Sequence, residues 1–146
     1  MSDREEIENL LNRFLWVRDD RDYDGMRACI TDDFTYVAPG VNDKGEPRIM
    51  AGADAFIAGV RAFAPRTAAV QHHHTTLIVA VDGDEAQARA YVLYFMVPAE
   101  GDGTVVKNGG RASYRLRRER GGWRISHSDA SPVWGENMHL MAPPKI

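Results

Sequence analysis

Apolar residues in this chain recur every three to four positions as far as Phe63 and every second position from Val70 onward. That change of period is the strongest constraint on the fold. A helix buries a stripe and a strand buries one face. Short helices leading into a run of long strands can therefore cover their stripes only against one face of a curved sheet. The expected architecture is α+β: a cone-shaped α+β barrel, with N-terminal helices packed on a strongly curved, mainly antiparallel sheet enclosing a pocket.

The helical half reads as follows. Ser2 and Glu5 have capping-box spacing. Ile7, Leu10, Leu11, Phe14, Leu15 and Val17 follow at helical intervals, which predicts a first helix ending near Val17–Asp20. Its stripe centres near Ile7 and Phe14, with Trp16 on the opposite side. Arg18 falls almost on the centre of the stripe, and Asp19 lies at its edge beside Leu15. Unpaired buried charge is costly, so this pair needs a reason. Asp22 suits the N-cap of a short second helix carrying Tyr23, Met26, Cys29 and Ile30. Phe34 to Val37 reads as a strand and Pro39 to Pro47 as a loop. Gly52 to Phe63 reads as a third helix, ended by Pro65.

The second half alternates. Strands are expected at Val70 to Val81, Ala86 to Val97, Arg111 to Arg118 and Trp123 to Asp129. The turns are Asp82-Gly83-Asp84, the Pro98 to Gly110 loop and Gly121-Gly122. Residues 131–146, with Trp134 and three prolines, read as an irregular tail. No repeat or linker divides residues 1–146, so one domain is expected.

Composition excludes some functions. The net charge is −3 with both signs interspersed, so no basic face offers itself to a nucleic acid. No apolar run approaches the ~20 residues a membrane helix needs. The acidic start, Met1 to Glu6, is unlike a signal peptide. Cys29 is the single cysteine, which suits a reducing compartment. A cytoplasmic protein is the expectation.

The chemistry-bearing cluster is Gln71-His72-His73-His74, where the period changes. On a strand, His72 and His74 share a face and His73 points away. The three could be a chance cluster, half core and half surface. A His-x-His pair could bind metal if His127 or Asp129 supplied a third ligand. A histidine could also act as a general base, since imidazole titrates near neutrality. Asp19, at the inner end of the first helix, could reach a histidine on the facing sheet and hold its ring; helix-end charge is the plainer reading of this segment, and it covers Asp20 and Asp22 well but Asp19, which flanks the apolar face, less well. Tyr36, Tyr94, Tyr114, His127 and Asp129 all fall on strands, on the side assigned to the interior. Buried tyrosines are usually core, but in a pocket they would bind a substrate oxygen.

Several pieces together carry a family resemblance: Asp19 to Asp24 after the first helix, Asp33-Phe34, Gln71-His72, Asp82-Gly83-Asp84, Gly122-Trp123-Arg124-Ile125 and Trp134-Gly135-Glu136. In this order and spacing the chain resembles the SnoaL-like family of the nuclear transport factor 2 superfamily. Among characterised relatives it resembles scytalone dehydratase, and less closely the hexachlorocyclohexane dehydrochlorinase. The resemblance implies a cone with an enclosed pocket, and a catalytic carboxylate and histidine at Asp19 and His72. It also implies no metal or organic cofactor, and a homo-oligomer, trimer or dimer. Arg18 replaces the tyrosine that scytalone dehydratase has before its aspartate, and that enzyme's second pocket histidine has no counterpart near Phe95 or Met96. Scytalone is therefore not the expected substrate, and Arg18 suggests an anionic or strongly polarised oxygen.

These readings converge on a lyase or isomerase of dehydratase type acting on a small, mostly apolar ring compound. Asp19 and His72 would be catalytic, and Arg18, Tyr36, Tyr94, Tyr114 and His127 would bind the substrate, which is small, hydrophobic or polycyclic. The alternatives are a polyketide-cyclase-like enzyme, or a non-catalytic binding or assembly subunit covering Trp16, Tyr91, Leu93 and Phe95.

Overall fold

The first helix, α1 (Asp3–Asp19), begins at a complete capping box. The Ser2 hydroxyl accepts the Glu5 N–H at 3.2 Å, and the Glu5 carboxylate accepts the Ser2 N–H at 2.7 Å. The second helix, α2 (Tyr23–Cys29), starts where the Asp22 carboxylate accepts the Gly25 N–H at 2.9 Å. The third, α3 (Ala53–Phe63), runs into a 3-10 turn at Ala64–Arg66. The computed structural model describes residues 1–141, with only the backbone of Val41.

Six strands form one sheet: β1 (Ile30–Val41), β2 (Pro47–Ala51), β3 (Thr67–Asp82), β4 (Glu85–Pro98), β5 (Val106–Glu119) and β6 (Gly122–Glu136). Their order is β2-β1-β6-β5-β4-β3. β1 and β6 run parallel; the other neighbours are antiparallel. The expected α+β class, with helices on a mainly antiparallel sheet, is therefore present. The sheet is open and mixed, with β2 and β3 as its edges.

Several boundaries differ from the sequence reading: β1 begins at Ile30, expected on the second helix, rather than at Phe34, and β3 begins at Thr67 rather than Val70. β1 runs on to Val41 and β2 folds back against it, so the loop shrinks to Asn42–Glu46. Asn42 Oδ1 organises that turn by accepting the Lys44 and Glu46 N–H groups at 2.9 and 3.0 Å. Pro47 opens an edge strand, where a missing N–H costs little. β5 begins at Val106 rather than Arg111, and β6 continues to Glu136 rather than ending at Asp129. Glycines at 109 and 110 hide this pairing from a periodicity argument. A Cβ on Gly109 would lie 2.2 Å from the Trp134 indole, so the strand is bare where Trp134 lies on it. Residues 131–136 of the expected irregular tail are thus strand, Met138–Met141 form a 3-10 turn, and 142–146 lie outside the described residues.

The core sits between the helices and the inner face of the sheet. Phe14 of α1, Phe34 of β1 and Phe56 of α3 are fully buried, with ring centroids 5.1 to 6.0 Å apart. The two contacts of Phe34 are edge-on, and such pairs add to the burial of large apolar area. Trp16 is 70% exposed, as its place opposite the stripe requires. Phe56→Ala should therefore cost about 3–5 kcal/mol of stability in urea unfolding, whereas Trp16→Ala should change it by less than about 0.5 kcal/mol.

Candidate functional site

The site begins with the way α1 stops. Arg21 has a left-handed backbone, φ 57°, at the position after the C-cap Asp20. Its N–H reaches Arg18 O at 3.2 Å and the Asp22 N–H reaches Val17 O at 2.9 Å, the paired bonds of a Schellman ending. Glycine usually fills this position. Here the Arg21 side chain gives it a second task. Nη2 donates to Thr67 O at 2.7 Å and to Thr67 Oγ1 at 2.9 Å, tying the helix end to the first residue of β3.

β3 is an edge strand, so alternate N–H groups lack a strand partner. Asp19 takes one of them. Its Oδ2 accepts the His72 backbone N–H at 2.9 Å, and its Oδ1 accepts His72 Nδ1–H at 2.6 Å. One carboxylate thus holds both the backbone and the ring of the same residue. Nε2 is left without a hydrogen-bond partner among the described residues. Both side chains are largely buried, at 12% and 17% exposure. Burial, then the Arg18 charge, push the His72 pKa below the ordinary histidine value, and Asp19 opposes them. The imidazole is neutral at neutral pH, with its basic nitrogen free.

Around this dyad the inner face is polar and aromatic. Tyr94 lies opposite His72 in the β3–β4 register, with ring centroids 4.9 Å apart. Burial raises its pKa to about 12, so its hydroxyl keeps its proton. The Arg18 guanidinium lies 5.4 Å from the Phe14 and Tyr36 ring centres and 5.6 Å from that of Phe56. His74 faces the same way as His72, and its Nε2 shares a 2.6 Å hydrogen bond with the Tyr114 hydroxyl. Burial lowers the His74 pKa to about 4 and raises that of Tyr114. His74 Nδ1 is buried without a partner among the described residues.

His127 is not with them. Its Cα partner is Arg115, while Leu116 pairs with Ile125, so Ser126 is an extra residue in β6. This bulge reverses the alternation that sequence spacing assumes. Ser128 turns inward, 3% exposed, and His127 and Asp129 turn to the outer face. There they line an outer groove of about 560 Å³ with Ile78, Arg89 and Arg115. His127 therefore cannot bind a substrate held by His72, nor complete a metal site with His72 and His74. Among the described residues no three metal-binding side chains cluster.

A second groove, of about 430 Å³, runs between α1 and β3 and is lined by Asn12, Trp16, Asp19, Gln71, His72 and His74, among others. Its size suits a small ligand. Both concavities are open grooves rather than the enclosed pocket expected. Sequence reasoning missed the His74–Tyr114 pair and the Arg21 clamp. The spacing of His72 and His74 put them on one face, but strand register sets His74 across from Val92 and Gly110, and only the reach of the two side chains over the inner face brings Tyr114 to it. Nothing in Asp20-Arg21-Asp22 signals a left-handed arginine.

The arrangement is a neutral base, fixed by a carboxylate, facing protonated phenols and a cation. The SnoaL-like domain family model matches residues 1–129. No curated protein matches the chain. Among solved structures it is similar to the Kfla4162 protein from Kribbella flavida, at 29% identity and TM-score 0.84 over 95% of this chain and 96% of that one. A protein provisionally named scytalone dehydratase, from Novosphingobium aromaticivorans, shares the fold at 14% identity and TM-score 0.80, over 92% of this chain and 86% of that one. A provisionally named dehydratase of the NTF2-like family from Streptomyces avermitilis does so at 20% identity and TM-score 0.79, over 90% and 97%.

Two electrostatic consequences can be measured by NMR titration of the histidines. Arg18→Gln should raise the protonation midpoints of His72 and His74, and Asp19→Asn should lower that of His72. His74 also links folding to pH. Its pKa falls from 6.5 to about 4 on folding, so the unfolded chain binds the extra proton between those values. Stability should drop as pH falls through that window, and the drop should be shallower in His74→Gln; equal slopes in urea titrations would contradict this.

Proposed function

The chain belongs to the SnoaL-like domain family, and we propose that it is a lyase or isomerase of dehydratase type whose base is His72. The double hold of Asp19 on His72 is the observation that carries this reading. His72 Nε2 removes a proton from carbon next to a carbonyl of a small, mostly apolar ring compound. Asp19 keeps the ring in the Nδ1–H form and offsets the positive charge as the imidazolium forms. Arg18, Tyr36 or Tyr94 stabilises the developing enolate oxygen. A β-hydroxyl then leaves as water, accepting the proton His72 took. Without a leaving group the same enolate is reprotonated elsewhere or closes a ring, as in a polyketide-cyclase-like reaction. The dehydratase names borne by two structural neighbours agree with this class.

A second reading, a non-catalytic binding or assembly subunit, is favoured by exposed apolar side chains. Ile78, Tyr91 and Trp134 are each about half exposed, at 49%, 50% and 48%. A homo-oligomer would cover such residues equally well. Purification from the native host separates the two: a stoichiometric larger subunit favours assembly, a homo-oligomer the enzyme. For the enzyme, His72→Ala and Asp19→Asn should each lower turnover of an identified substrate by roughly 10²–10⁴-fold with the fold intact by circular dichroism. Full activity in both variants would end the dyad proposal.

A further inference from the structure

The dyad itself does not engage Arg18, and Tyr36 or Tyr94 can meet the enolate oxygen without it. Every other arginine that is not exposed has an acceptor among the described residues. Arg66 donates to Met141 O at 2.6 Å, Arg117 to Asp33 at 2.7 Å and Arg124 to Ile30 O at 3.4 Å. Arg18 is half-buried and has neither an acceptor nor an ion-pair partner among those residues. The carboxylate next to it in sequence, Asp19, is occupied by the two nitrogens of His72. Three aromatic rings surround the guanidinium within 5.6 Å, which favours a cation but fills none of its N–H donors. Its charge is felt by His72, His74, Tyr94 and Tyr114, which are all neutral at neutral pH. Holding a cation partly out of water with its donors unmet is costly, and a bound anion removes that cost.

We infer that Arg18 anchors a carboxylate of the substrate, which makes that substrate an aromatic or polycyclic ring acid. This rests on the reading of the site as the His72–Asp19 centre and narrows its substrate class. The guanidinium offers parallel donors in a planar fork that matches a carboxylate in two bonds. Tyr36 and Tyr94, both only partly buried, supply aromatic surface for the ring. Arg18 precedes Asp19 in the chain, and its charge reaches both His72 and Tyr94, whose rings are 4.9 Å apart, so a carboxylate at Arg18 places its ring beside the base.

Calorimetric titration with 2-naphthoate and its neutral counterpart 2-naphthamide tests the anchor without knowledge of the true substrate. The wild-type chain and His72→Ala should both bind the acid at least about tenfold more tightly than the amide. The preference should fall to about one in Arg18→Gln and take an intermediate value in Arg18→Lys, which keeps the charge and loses the fork. If Arg18→Gln does not fold, the reduced preference in Arg18→Lys carries the test. Equal affinity for acid and amide in the wild type, no binding of either probe, or an undiminished preference in the folded Arg18 variants overturns the inference. The two readings fail separately. A fully active His72→Ala that keeps the acid preference removes the dyad and leaves the anchor; an inactive His72→Ala without any acid preference does the reverse.

Discussion

The Asp19 carboxylate on the edge of β3 is the contact on which the site depends. An edge strand exposes unpaired N–H groups, and a helix end exposes charge. Here each answers the other. Because Oδ2 is fixed by the backbone N–H of His72, Oδ1 has one position relative to the ring, and the ring has one tautomer to offer it. A carboxylate that held only the ring could swing with it. The Arg21 clamp on Thr67 extends the same logic to the chain: the end of α1 and the start of β3 are joined by side chain as well as by packing.

Burial and the Arg18 charge act together on the two histidines and against one another on the two tyrosines. Burial alone would keep His72, His74, Tyr94 and Tyr114 uncharged, and it is the largest cause of the shift at each of them. Arg18 adds a positive charge that further disfavours imidazolium. Asp19 is the counterweight at His72 and has no equivalent at His74. The two histidines therefore differ in kind although they sit two residues apart on one strand. His72 can accept a proton with help, whereas His74, bonded to Tyr114, stays neutral well below neutral pH.

Much of this was legible in the sequence. The capping box, the apolar stripe of α1 and the exposed Trp16 followed from spacing alone, and the anomaly of Arg18 and Asp19 on that stripe pointed to the right end of the helix. What spacing could not show were the interruptions of its own rule. One extra residue, Ser126, turned His127 outward and Ser128 inward. Glycines 109 and 110 looked like loop because the reason for them, Trp134 and the Ser131–Pro132 backbone lying against them, comes from another strand. The partner of His74 lies two strands away and off its register, met by side-chain reach across the inner face, which no local pattern encodes.

Asp19 holds the His72 ring neutral with its proton on Nδ1. The ¹⁵N chemical shifts of the His72 ring at neutral pH, in the uniformly labelled chain, read that state directly. The expected ring has a protonated Nδ1 and an unprotonated Nε2, with the Nδ1 proton shifted downfield by its short bond to Asp19. A ring protonated on Nε2 alone, or on both nitrogens, would contradict it.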